Sequence, residues 1–237
     1  SIVTINNVDG AVNNTGAAVR VDNGRFENTK EEAELNINNC TQDGILLNGA
    51  GDLINGGKIS MTDIGETCLR SLGSGEFINE VEGVYSTDSD GFRSILLDGT
   101  TMTNAGLVEI NSADFYGIEI LDNGIINNEP GASIEINLDA AAKETTVGIV
   151  SNDGFIFNKG EIVFDKISVT YLSLIGNAIF ENTDGAIFIG MDAVIGPGID
   201  VEDTQFTNED ACSRVILNGR IRVLNAASFR NRANALV

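Results

Sequence analysis

A motif that ends in asparagine recurs along the chain, and this repeat restricts the fold more than any other feature of the sequence. The motif is a small or polar residue, any residue, an apolar residue, any residue and Asn, as in residues 51–55, 75–79 and 154–158. It occurs nine times, first at Asn14, and after an opening interval of 14 residues the asparagines lie 23 to 31 residues apart. A period of this length is typical of a solenoid, in which successive repeats stack on one another.

Each repeat contains short segments with strand-like alternation, separated by Gly, Asn and Asp. Strands such as residues 57–61 and 106–110 follow the asparagine, and a second family, such as residues 117–120, comes some ten residues later. An antiparallel sandwich also has short strands, but it does not need repeats in register. The sequence therefore predicts an all-β fold, a right-handed parallel β-helix (β-solenoid) with seven or eight rungs of about 25 residues.

The recurring asparagines predict a ladder of stacked side chains at one corner of the coil. Asn side chains can hydrogen-bond from rung to rung, and Asn tolerates the left-handed backbone that a sharp corner requires. The predicted members of the ladder are Asn28, Asn55, Asn79, Asn104, Asn127, Asn158, Asn182 and Asn208.

The unequal spacing predicts how the chain is divided. Residues 1–21 are expected to form a partial rung or an N-terminal cap, and residues 22–237 a single β-helix. Excursions from the corners are expected near residues 138–146, which are Ala-rich, and near residues 190–198, which include Pro197. The chain begins without Met or a signal-like segment, and we interpret it as a fragment of a longer protein.

Composition argues against several classes of function. The chain has no His, and its 35 Asp and Glu against 14 Lys and Arg give a net charge of −21. Histidine-dependent triads and zinc sites are therefore excluded within this chain alone. The negative charge repels phosphate backbones, and no apolar run approaches the roughly 20 residues of a membrane-spanning helix. We expect no nucleic-acid partner and no membrane insertion.

Three aspartates are the best candidates for chemistry. Asp88 and Asp90 precede a strand of the second family, and Asp43 is expected at the equivalent corner two rungs earlier. Two rungs span roughly 9.6 Å, at the edge of the carboxylate separation of inverting glycosidases. However, Asp before Gly is also an ordinary turn residue. We therefore expect no catalytic residue, cofactor or metal site, with structural calcium on these carboxylates as the alternative.

Aromatic residues and cysteines give little sign of a binding site. There is no Trp, and most Phe residues fall on apolar strand positions, which predicts stacking inside the coil. Cys40, Cys68 and Cys212 match no metal-binding spacing and are interpreted as small, semi-buried residues, with any disulfide left open.

Positive charge is concentrated at the C-terminal end. From Cys212 onward there are five arginines and no acid, whereas the preceding residues carry 35 acids and 9 bases, a net charge of 9 − 35 = −26. These arginines form either a solvated face or a basic end that docks on another subunit or on a neighbouring segment of the same long protein. They are Arg214, Arg220, Arg222, Arg230 and Arg232.

The asparagine corner followed by a Gly-x-Ile-x-Ile strand resembles the repeat regions of bacterial surface and secreted parallel β-helix proteins, which are adhesins of the haemagglutinin and autotransporter-passenger kind. The resemblance covers essentially the whole chain and carries over no functional residue. It implies a non-enzymatic, structural or adhesive segment of a larger extracellular or cell-surface protein. It also implies two kinds of partner. One is further copies of the chain or neighbouring segments of the same long protein, through self-association into a fibre, and the other is a glycan or protein receptor. The alternative is a β-helix carbohydrate-active enzyme, such as a polysaccharide lyase or hydrolase, or a phage-spike-like glycan-binding domain.

Overall fold

Every regular element in the described part of the chain is a β-strand. The computed structural model describes residues 1–8, 16–89, 91–138, 146–191, 196–210 and 212–232. Over these ranges, no helix has the length and apolarity needed to cross a membrane.

The strands are short and follow one another closely along the chain. The first nine are β1 (Ile2–Val8), β2 (Ala17–Asp22), β3 (Arg25–Asn28), β4 (Glu34–Cys40), β5 (Asp43–Gly49), β6 (Asp52–Asn55), β7 (Lys58–Ile64), β8 (Thr67–Gly73) and β9 (Glu76–Asn79). The next nine are β10 (Val84–Asp88), β11 (Arg93–Asp98), β12 (Thr101–Asn104), β13 (Leu107–Ile110), β14 (Tyr116–Leu121), β15 (Ile125–Asn128), β16 (Ser133–Asn137), β17 (Val147–Asn152) and β18 (Phe155–Asn158). The last nine are β19 (Glu161–Asp165), β20 (Thr170–Ile175), β21 (Ile179–Asn182), β22 (Ile187–Gly190), β23 (Ile199–Glu202), β24 (Gln205–Asn208), β25 (Arg214–Leu217), β26 (Ile221–Leu224) and β27 (Ser228–Asn231).

The described part of the chain winds around three parallel sheets of nine strands each. Every third strand joins the same sheet, so β1, β2 and β3 begin the first, second and third sheets, and three successive strands make one rung. Arg25 and Ser228 occupy equivalent positions in the first and ninth strands of the third sheet, eight turns apart, which gives (228 − 25)/8, or about 25 residues per turn. The predicted parallel β-helix and its period are confirmed.

Aligned apolar columns fill the interior because equivalent residues of successive strands point the same way. One column in the third sheet runs through Phe26, Leu53, Phe77, Met102, Ile126, Ile156, Phe180, Phe206 and Phe229. The rings of Phe180 and Phe206, and those of Phe206 and Phe229, stack with centroids 4.6 Å apart. Stacking inside the coil is therefore the role of these phenylalanines, as predicted.

Small residues at the start of the second-sheet strands make room for large side chains opposite. A Cβ added at Gly148 would overlap the Phe164 ring, and one added at Gly44 would overlap Met61 Sδ. The absence of a Cβ at these positions lets Met61 and Phe164 pack directly against the backbone of the second sheet.

Both ends of the described chain belong to the solenoid. Strands β1 and β2 pair with β4 and β5, so the described part of residues 1–21 supplies two strands of the first rung. At the other end, β25, β26 and β27 complete the ninth rung. The motif at Asn14, the residue Asp90 and the centres of the two expected excursions, residues 139–145 and 192–195, lie outside the described residues.

Candidate functional site

The recurring asparagines form one continuous ladder inside the coil. In each step the Nδ2 atom of one residue donates to the Oδ1 atom of the next, at 2.7–2.9 Å, and most of these side chains are fully buried. The Nδ2 atoms also donate to backbone carbonyls, as Asn104 does to Ser133 O at 2.9 Å. The members are Asn28, Asn55, Asn79, Asn104, Asn128, Asn158, Asn182, Asn208 and Asn231.

The ladder differs from its prediction at two positions. The prediction of Asn127 as a member is wrong, because the register aligns Asn128 with Asn104 and Asn158. Asn127 lies half-buried on the outer face, between Thr103 and Phe157. Two adjacent asparagines fit the motif equally well there, and only the register distinguishes them. The ladder also extends to Asn231 in β27, beyond the predicted set.

The predicted placement of Asp43 at the corner equivalent to that of Asp88 is wrong, while Asp90 lies outside the described residues. The register aligns Ile45 with Leu69 and Ile95, so Gly44 corresponds to Ser94 rather than to Gly91, and Asp43 corresponds to Arg93. Asp88 ends β10 in the first sheet, whereas Asp43 begins β5 in the second. Asp43 and Asp88 therefore do not occupy the equivalent positions that a carboxylate pair two rungs apart requires.

The corner between the first and second sheets holds the most promising outer surface. Backbone hydrogen bonds from Glu66 N to Gln42 O (3.1 Å), from Arg93 N to Glu66 O (3.3 Å) and from Phe115 N to Phe92 O (3.1 Å) stack four successive rungs there. We call this surface the corner face, which consists of Gln42, Asp43, Glu66, Arg70, Phe92, Arg93, Phe115, Tyr116 and Glu119.

Aromatic rings cover one half of the corner face. Phe92 and Phe115 are each 39 % exposed, and their ring centroids are 4.7 Å apart. The Tyr116 ring packs edge-on against Phe92 at 5.6 Å. Arg93 lies over the Phe92 ring, 4.8 Å from its centroid, and forms an ion pair with Glu119 of the next rung. The result is a fixed, exposed apolar platform with charged groups beside it.

A polar cavity occupies the other half of the corner face. It has a volume of about 300 Å³ and is lined by Gln42, Asp43, Glu66 and Arg70. Asp43 is only 6 % exposed, and its Oδ1 atom has no hydrogen-bond partner among the described residues. Its Oδ2 atom lies 3.6 Å from Arg70 Nη1, while Arg70 Nε is also buried without a partner in the described structure. The cavity therefore contains polar groups with unused hydrogen-bonding capacity.

Burial raises the pKa of Asp43 above its ordinary value. Loss of solvation is the largest cause, the positive charge of Arg70 opposes it, and the negative charge of Glu66 adds to it. Because the folded state favours the protonated form, this residue contributes stability below the unfolded pKa, and that contribution is lost as the pH rises through the folded pKa.

We expect Asp43→Asn to raise the stability of the protein at pH 7. The variant removes a buried charge, while the Arg70 side chain, which is 40 % exposed, keeps part of its surface in contact with solvent. The gain should shrink as the pH falls and vanish below about 3.8, the ordinary value, where Asp43 is protonated in both folded and unfolded chains. Urea unfolding of both proteins across this pH range measures the difference. A variant less stable than the original at pH 7 would contradict the expectation.

The C-terminal arginines are spread around the last rung rather than gathered in one patch. Arg214, Arg222 and Arg230 lie in β25, β26 and β27, which belong to three different sheets. Arg222 Nε donates to Asp200 Oδ1 at 2.8 Å, and Arg232 Nη1 pairs with Glu209 Oε1 at 2.6 Å. Two of the five predicted docking charges are thus engaged by acids within the chain.

The cysteines are free thiols. Cys40 and Cys68 are buried and Cys212 is exposed. Burial raises the pKa of Cys68 to about 12, so that this thiol is protonated at neutral pH. In the described part of the chain, no group of three or more His, Cys, Asp or Glu is arranged to hold a metal ion.

The fold places the chain among parallel β-solenoids. A scan against protein-family models and searches of curated proteins and of solved structures find no match for it.

Proposed function

We propose that the chain is a non-enzymatic adhesive segment of a larger extracellular or cell-surface protein, and that its corner face binds a glycan. The observation that carries the proposal is the exposed pair Phe92 and Phe115, backed by Tyr116 and flanked by the Arg93–Glu119 ion pair. The C–H faces of sugar rings pack on aromatic rings, while sugar hydroxyls bond to adjacent polar groups. Single exposed apolar residues are common on protein surfaces, whereas rings in contact, such as Phe92 and Phe115, form a continuous apolar patch of the kind that marks an interaction site.

The spacing of the corner face suits a linear polymer. Gln42, Glu66, Phe92 and Phe115 occupy equivalent corner positions on four successive rungs, because each directly precedes a second-sheet strand. At roughly 4.8 Å per rung, they form a row about 14 Å long parallel to the axis of the coil. A solenoid keeps such a row straight, since each rung is held by its neighbours.

The cell-surface setting and self-association are parts of the same proposal. A rigid stack of rungs is suited to a stalk or fibre segment that presents binding sites away from its anchor. The exposed arginines of the last rung supply charge for contact with an acidic neighbouring subunit or segment.

We expect Phe92→Ala and Phe115→Ala each to weaken glycan binding at least about tenfold. Each substitution removes one stacking surface of the platform, and a loss of about 1.4 kcal/mol corresponds to a factor of ten. A glycan array followed by titration calorimetry on the strongest ligand measures the change. Phe157→Ala is the matched control, since Phe157 is an outward phenylalanine of the third sheet, away from the corner face. Equal binding by all three variants would contradict the proposal.

Glycan cleavage is the second candidate function. The observation that favours it is the carboxyl group of Asp43, whose raised pKa suits a general acid, in the same cavity as Glu66. Product analysis on the glycans that bind separates the two functions. Release of new reducing ends that disappears in Asp43→Asn would establish the enzyme and overturn the non-enzymatic assignment.

A further inference from the structure

We infer that the Asp43 cavity is a separate subsite for the hydroxyl groups of an uncharged sugar unit. This inference rests on the proposed function, because it assigns a second contact for the same glycan. The cavity lies at β5 and β8, while the aromatic platform lies at β11 and β14, so the two are about two rungs, or roughly 10 Å, apart along the axis.

The donor and acceptor pattern of the cavity fits a pair of neighbouring hydroxyls. Asp43 accepts hydrogen bonds, and its Oδ1 atom is buried without a partner in the described structure. Arg70 donates hydrogen bonds, and its Nε atom is likewise buried without a partner in the described structure. One hydroxyl can donate to the Asp43 carboxylate while its neighbour accepts from the Arg70 guanidinium, and each bond is strengthened by a charge.

The charges of the cavity select against acidic sugars. Gln42 is neutral, and when Asp43, Glu66 and Arg70 are all ionised the cavity carries a net charge of 1 − 2 = −1. A uronate or sulfate group would place another negative charge beside two carboxylates. A cation is not the expected occupant either, because Arg70 Nη1 already lies 3.6 Å from Asp43 Oδ2. A neutral sugar ring with free hydroxyls brings no negative charge towards the carboxylates and no positive charge towards Arg70.

The test is a titration of the whole chain and its variants with defined oligosaccharides. The probes are the homotetraoses of galactose, glucose, mannose and N-acetylglucosamine, with tetragalacturonate as the acidic counterpart of galactotetraose and the tetraose of glucosamine as the cationic probe. We expect at least one neutral tetraose to bind, tetragalacturonate to bind at least tenfold more weakly than galactotetraose or not at all, and Asp43→Asn to lose at least tenfold in affinity for the neutral ligand.

The control variant is Asp98→Asn, which makes the same charge change at the far end of β11 in the same sheet. It should bind within twofold of the original protein, and circular dichroism of each variant confirms that it is folded. Affinity that survives Asp43→Asn but is lost in Phe92→Ala would overturn the subsite while leaving the proposed function standing. Preferred binding of tetragalacturonate or of the glucosamine tetraose would also overturn the subsite. If none of the probes binds to the original protein, the subsite is rejected, and glycan binding is rejected as well only if the glycan array also shows no ligand.

Discussion

Phe180→Ala is expected to lower the free energy of unfolding by about 3–5 kcal/mol, the largest effect that we predict for a single substitution. Phe180 is fully buried in β21 and lies in the middle of an aromatic group. Its ring stacks on Phe206 at 4.6 Å and meets Phe188 edge-on at 5.4 Å. The substitution therefore leaves a cavity and also removes two ring contacts. Equilibrium unfolding in urea, followed by far-ultraviolet circular dichroism, gives the change.

The control for this prediction is Phe157→Ala in β18, one rung earlier in the same sheet. Phe157 has the same side chain but faces outward and is half-buried. Its removal leaves no enclosed cavity, and we expect a loss of less than about 1 kcal/mol. Similar losses for the two variants would mean that the inward and outward rows of this sheet are assigned incorrectly.

Much of the fold was accessible from the sequence because a solenoid repeats one local pattern. The alternation in segments such as residues 57–61 and 106–110 identifies which residues face inward, and the recurring Asn fixes the period. Both the alternation and the asparagine motif are local patterns, each contained in a few consecutive residues. The structure accordingly shows the predicted parallel β-helix, with eight turns of about 25 residues.

The corner face could not be predicted from the sequence in the same way, because the connections that precede the second-sheet strands differ in length. Two residues separate β4 from β5, whereas four separate β10 from β11 and five separate β13 from β14. Aligning Gly91 with Gly44 therefore misplaces Phe92 by three residues relative to the register of the structure. The sequence does contain a signal for the correct alignment of these strands, which is the small residue before each inward Ile or Leu. These small residues are Gly44, Cys68, Ser94 and Gly117. Aligned on them, Phe92 and Phe115 fall at the corner, outside the apolar rows.

The Asp43 cavity was hidden for a different reason. Its lining residues come from two successive rungs, and Asp43 and Arg70 are 27 residues apart in the sequence. Only the stacking of rungs brings them together. The sequence marks Asp43 only as a partner for Asp88 and Asp90, and Arg70 does not stand out from ordinary surface residues before the register is known.

Asn128→Ala is expected to cost about 2–4 kcal/mol of unfolding free energy. The side chain accepts from Asn104 Nδ2 at 2.9 Å, and it donates to Asn158 Oδ1 at 2.8 Å and to Glu161 O at 3.0 Å. Alanine cannot replace these bonds, and each buried polar atom that loses its partner costs about 1–3 kcal/mol. Because the ladder joins every rung to the next, the loss also weakens the contact between β15 and β18.

Asn127→Ala is the matched control, since the neighbouring residue carries the same side chain on the outer face of β15. Its removal breaks no bond of the ladder, and a change within about 0.5 kcal/mol is expected. Urea unfolding of the two variants side by side therefore tests the register directly. A larger loss of unfolding free energy at Asn127 than at Asn128 would mean that the register of this strand is shifted by one residue, so that the row described as inward faces outward. Small losses at both positions would show that the asparagine ladder contributes little to holding the rungs together, and that the aromatic and aliphatic columns stabilise the coil alone.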